Sequence, residues 1–216
     1  MINQASKLNG LQPQQNATNG TAPSLTSTNN FINFCLGKTI TNGQQVKTGS
    51  CNPIVMGDIA SATNIPSGKF VSPKNLDTVQ ANTQFTLTAK FSNIELGQFT
   101  NADTNYFAAP QQINKQGNVI GHTHFVIEQV GSLTSTDVTD PTKFSFFKGI
   151  DSAAAADGTV SVAVTGGVPA GVYRLSSIST ASNHQPALVG VAQHGSLEDA
   201  IYVGRFLLLE YRNQLF

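Results

Sequence analysis

The chain has 216 residues, enough for one domain with a full core and within the size that single β-sandwiches and barrels reach. Twelve Lys plus Arg balance twelve Asp plus Glu, and charged residues make up only 11% of the chain, so there is no electrostatic footprint for nucleic acid or an anionic membrane. No stretch approaches the roughly 20 apolar residues of a membrane helix, since the densest late run, Phe206 to Leu209, ends at Glu210.

Residues 1–30 are rich in Asn, Gln, Thr and Ser with no apolar period, so they cannot bury enough surface to offset ordering, which predicts a flexible tail ahead of a single domain over residues 31–216. Two sequons, at Asn16 and Asn19, lie in that tail. The first thirty residues contain no apolar secretory core, so a leader was either removed or never present. Cys35 and Cys51 flank Thr41-Asn42-Gly43-Gln44, a tight-turn sequence that folds the segment back on itself and suits a disulfide. Closing a loop of about 17 residues stabilises by roughly 3 kcal/mol in the chain-entropy picture. A structural bridge of this kind implies an oxidising, extracellular compartment.

From Phe31 onward, turn residues separate short apolar segments. In residues 85–91, FTLTAKF, Phe85, Leu87, Ala89 and Phe91 share one face, as a half-buried strand requires. Residues 105–112, NYFAAPQQ, read as a loop whose Tyr106 and Phe107 could wall an apolar pocket. Further strands are expected at 119–130, 143–147, 159–164, 172–178, 187–192 and 201–209. The segments 151–156 and 196–200 favour at most a helical turn, too short to cross over between parallel strands. The expected class is therefore all-β, an antiparallel β-sandwich.

All four histidines lie in the second half of the chain: His122, His124, His184 and His194. On a strand, His122 and His124 point to the same side with Cα atoms about 6.5 Å apart, so both imidazoles can converge on one ion. A metal site needs at least a third donor, and the candidates are His184, His194 and Glu128, the last on the same face of the strand. Copper or zinc is the ion such a set suits. Alternatively the pair is satisfied by hydrogen bonds alone. Phe125 and Tyr173, with Tyr106 and Phe107, are the aromatic candidates for lining a small-molecule site. The chain has no GxSxG, HExxH or phosphate-cradling loop, and its acids show no spacing that selects two, so the reading leans away from an enzyme.

The segments NFCLGKTITNGQQVKTGSCNP, GKFVSPKNLDTVQANTQFTLTAKFSN, NYFAAPQQINKQGNVIGHTHFVIEQ and GGVPAGVYRLSSISTASNHQPALVGVAQHGSLEDAIY resemble a family of small secreted fungal proteins of undetermined function. Some of its members carry a ribosomal label that the balanced charge here makes physically implausible. More distantly, the succession of an SPxNxD strand start, a GHxH strand, a PAGxY strand and a later His is similar to immunoglobulin-like domains with a GHHH-type motif. That resemblance implies an immunoglobulin-like sandwich. A rival is the cupin jelly roll, because His122-x-His124-x3-Glu128 is similar to its first metal motif and Pro169-x-Gly171 to the turn before its second histidine; Arg174 stands where that histidine would fall. Residues 204–216 lie outside both resemblances.

Three functions are thus open at this point. The chain is expected to be a secreted, non-catalytic binding protein with a histidine-lined transition-metal site. The alternatives are a carrier for a small apolar or aromatic ligand or pigment, and a cell-wall or host-interaction protein without cofactor.

Overall fold

The computed structural model describes residues 29–205 except 49 and 104. The expected tail, apart from its last two residues, lies outside the described residues, as do both sequons and the part of the expected 201–209 strand beyond residue 205. Among the described residues there is no helix, and no helix is long and apolar enough to cross a membrane.

Eight strands form two sheets: β1 (Ser67–Ser72), β2 (Phe85–Ser92), β3 (Ile94–Glu95), β4 (Val119–Val130), β5 (Phe146–Ile150), β6 (Thr159–Val164), β7 (Gly171–Ala181) and β8 (Ala200–Arg205). The smaller sheet has the order β1-β2-β6 and is antiparallel throughout. In the larger sheet β4 pairs with β7 and β7 with β8, both antiparallel. The other edge of β4 is shared. β3 lies parallel to its start, opposite Val119 and Ile120, and β5 lies antiparallel further along, opposite Thr123 to Ile127. Between the named strands the expectation of a wholly antiparallel arrangement fails at one two-residue pair, too short to carry any period of its own, and outside them four isolated bridges are also parallel.

Alternation decides which side chains meet. On β4 the odd positions Phe125 and Ile127 turn inward with Tyr173 and Leu175 of β7 and Ile201 and Val203 of β8. They meet Phe70, Leu87, Ala89, Phe91, Val160 and Val164 of the smaller sheet in one buried cluster, so the two sheets pack face to face like a sandwich. Phe125 is its centre, with Phe70 at 5.2 Å and Phe91 at 6.5 Å between ring centroids. Fully burying side chains of this size contributes on the order of 2 kcal/mol each. Tyr173 is 1% exposed, and its hydroxyl donates to the Pro169 carbonyl four residues upstream at 3.0 Å. This bond ties the corner that leads into β7.

Phe125 and Tyr173 thus lie in the interior between the sheets, because their strand parity sends them inward. The expected strand at 143–147 is displaced to β5, where Phe146 and Ile150 face inward opposite Ile127 and Thr123. Residues 187–192 make one isolated bridge, at Val189, and loop hydrogen bonds instead of a strand, while 151–156 and 196–199 are turns, bends and irregular backbone. β1 was not expected: only Phe70 of its six residues is buried, so it lacks the apolar alternation of a half-buried strand.

The segment before β1 is turn-rich. Cys35 and Cys51 are disulfide-bonded, with Cα atoms 5.6 Å apart. It docks onto residues 105–111 through Tyr106 N–H to the Gly43 carbonyl (2.8 Å), Asn52 Nδ2 to the Phe107 carbonyl (3.1 Å) and Gln111 N–H to the Met56 carbonyl (3.0 Å). Gln111, 1% exposed, donates from Nε2 to the Asp58 and Leu188 carbonyls and accepts from Leu188 N–H, tying three loops together.

Candidate metal centre

The even positions of β4 point away from the core. There His122 stands opposite Thr180 and His124 opposite Ile178 on β7, while His124 faces Gly149 on β5. That outer face is not left to solvent at this end. Residues 96–107 cross over it, held by Gln98 N–H to the Gly121 carbonyl (3.0 Å), Thr100 N–H to the Ser182 carbonyl (3.1 Å) and Phe107 N–H to the Asn183 carbonyl (2.9 Å). The turn after β7 brings His184 in from the side. Its backbone has φ +73, a left-handed conformation that non-glycine residues adopt at a cost and that tends to persist where function requires it. His122, His124 and His184 consequently converge, each offering one ring nitrogen, with the three nitrogens within 4.8 Å of one another.

Hydrogen bonds define the tautomers. His122 Nδ1 lies 3.0 Å from the Gln98 carbonyl, which can only accept, so Nδ1 carries the proton and Nε2 the lone pair. His184 Nε2 lies 2.7 Å from the Thr100 carbonyl, so its lone pair is on Nδ1. This is the arrangement in which a ligating histidine donates its other ring N–H to a backbone carbonyl. His122 is fully buried, yet its Nε2 has no hydrogen-bond partner, and neither has the buried Nδ1 of His124. An unpaired buried polar group costs roughly 1–3 kcal/mol, and the three histidines lie close enough together to hold an ion.

Aromatic rings enclose the trio. Phe99 lies 4.5 Å from His122, 4.9 Å from His184 and 6.2 Å from His124 between ring centroids. Tyr106 stacks on His184 at 5.6 Å, and Phe147 lies 5.2 Å from His124. The absence of a side chain at Gly149 makes room: a Cβ there would sit 2.7 Å from the Phe99 ring and 3.2 Å from His124. Burial pushes the His122 imidazolium down to about 4; the Gln98 carbonyl opposes that shift, and His124 and His184 add to it. His124 is lowered by burial as well, against the backbone of Ile178 and with His184 contributing.

The folded state of the metal-free protein therefore binds fewer protons than the unfolded chain between about pH 6.5 and about pH 4. Stability conferred by the neutral imidazole is fully present above pH 6.5 and is lost as pH falls toward 4. After allowance for solvent screening, the loss should be roughly 2 kcal/mol for His122 alone. Urea unfolding of metal-free protein from pH 7.5 to 4 should show this slope, and a His122→Gln protein should lack part of it; identical profiles would contradict the assignment.

The remaining candidates lie elsewhere. His194 is exposed and bonds its own neighbour, the Gly195 carbonyl, at 2.6 Å. Glu128 shares the strand face, but its Oε2 is taken by Arg174 at 2.7 Å, directly across the β4–β7 pair. Tyr106 and Phe107 stack on each other at 4.1 Å, and of the two only Tyr106 reaches the histidines. Phe107 borders a hollow of about 250 Å³ with Ile40, Pro53 and Ile54, smaller than the roughly 300–1,000 Å³ of a drug-sized ligand pocket. Gly149 and the carbonyls of Gln98 and Thr100 carry no signal of their own in the sequence, because nothing local shows that residues 96–107 cross β4.

The family CLU5d N-terminal domain matches residues 68–204, a span that contains all three clustered histidines but not the disulfide. The chain is also 46% identical over 191 residues to "Pathogenicity cluster 5 protein d" of the fungus Colletotrichum graminicola (strain M1.001 / M2 / FGSC 10212), an alignment covering 88% of this chain. The match takes in only 40% of that relative's length.

Proposed function

The chain belongs to the CLU5d N-terminal domain family, and from that premise we propose that it is a secreted, non-catalytic protein that binds one transition-metal ion at His122, His124 and His184. The observation that carries this reading is the buried, unpartnered Nε2 of His122 beside the unpartnered Nδ1 of His124. Two of the three imidazoles are fixed by backbone carbonyls in the tautomer that presents a lone pair to the cluster. Imidazole nitrogens are ligands for zinc, copper, nickel and iron. The Cys35–Cys51 disulfide supports an oxidising compartment. The relative's name refers to pathogenicity, and a role at the boundary between a fungus and its host is proposed here by extension.

Titration of metal-free protein with zinc or copper salts, followed by calorimetry and thermal unfolding, tests the reading. One ion should bind per chain and raise the unfolding temperature. Neither heat nor a thermal shift with any first-row ion would overturn it.

A further inference from the structure

Resting on that reading, we infer that the ion the site selects is monovalent copper, Cu(I). The donors are three neutral imidazoles, and no carboxylate joins them in the cluster among the described residues. Glu128, the acid on the same strand face, is paired with Arg174. No thiolate is available either, since both cysteines are in the disulfide. The three imidazoles themselves neutralise none of a bound ion's charge, so a dication needs hydroxide or another anion from solvent to reach the single charge that Cu(I) already has.

The surroundings make that difference matter. His122 is fully buried, and Phe99 packs against all three imidazoles, with Tyr106 and Phe147 flanking His184 and His124. Charge in a poorly solvated, apolar environment is expensive unless it is paired, and the second charge of Cu(II) or Zn(II) has nothing on the protein to pair with. Three imidazoles suit copper. Binding requires no electron transfer when the metal is supplied already reduced.

The experiment uses the full chain under argon. Cu(I), generated with ascorbate, is partitioned between the protein and bathocuproine disulfonate; Cu(II) is partitioned against glycine and Zn(II) against a chromophoric chelator. Binding of Cu(I) should be on the order of 100-fold tighter than that of Cu(II) or Zn(II), the direction the uncompensated charge dictates. Tighter binding of Cu(II) or Zn(II) would overturn the inference while leaving the metal-site reading intact, and failure of all three ions would overturn both.

A Phe99→Asp variant supplies the missing carboxylate at a partly exposed position. It should move the ratio of Cu(I) to Zn(II) affinity toward zinc by about tenfold or more. A ratio that stays put in this variant would overturn the charge argument even if copper binds the wild-type protein.

Discussion

Replacing Gly121 with Ala should destabilise the protein by roughly 3–5 kcal/mol or prevent folding. A Cβ at this position would collide with the carbonyl oxygen of Thr180 and lie 3.0 Å from the Cα of Ala181, both on β7. Neither obstacle is the far end of a flexible side chain that could swing aside. The clash can be relieved only by separating β4 from β7 next to the His122–Thr180 pair. Gly166 is the control, since nothing lies within 4 Å of a Cβ built there, and Gly166→Ala should change stability by only about 0.5 kcal/mol. Urea unfolding of the two variants gives the comparison. If Gly121→Ala were as stable as the wild type, the close approach of β4 and β7 would be wrong.

Gly121 also shows how far the sequence could be read. The glycine in Gly-His-Thr-His marks a place where two backbones meet, and the alternation that follows it made β4 legible from Val119 to Val130. The same period of two marked β2 to within a residue and β6 over its whole length. β1 escaped because, as an edge strand with one buried residue, it has no apolar face to alternate. The segment 187–192 has the composition of a strand, but Gln111 satisfies the Leu188 backbone from the side and Ala60 accepts from Gly190, so those hydrogen bonds never enter a ladder.

For the site, strand parity was enough to put His122 and His124 side by side. It was not enough to choose the third donor. Glu128 satisfied parity equally well, yet Arg174 lies directly opposite it on β7, and a cross-strand partner wins over an ion more than ten ångströms of strand away. His184 arrives through the turn after β7, which depends on Ala181 pairing with Gln185 and on Asn183 bonding to Asn105 and Phe107 across the molecule. Such long-range contacts leave no periodic trace. The disulfide was legible because its two cysteines flank a turn and leave no other pairing.

A protein carrying both His122→Gln and His124→Gln should bind no metal at the wild-type site while keeping its fold. The substitutions remove two of three donors from the outer face of β4, and the core that stabilises the sandwich lies on the opposite face, around Phe125 and Ile127. The loss in affinity should exceed about 100-fold. If this protein fails to fold, His184→Asn provides a second route, because Asn tolerates the left-handed backbone that position requires. His194→Gln should bind as the wild type does.

The most direct measurement is the imidazole ¹⁵N–¹H correlation spectrum of the wild-type protein as a diamagnetic ion, Zn(II) or Cu(I), is added. The four histidines give four resolvable ring systems. Those of His122, His124 and His184 should shift together at one equivalent, with ligation at Nε2 of His122 and Nδ1 of His184, while His194 stays in place. A spectrum in which His194 moves with the metal, or in which none of the three clustered rings does, would contradict the site.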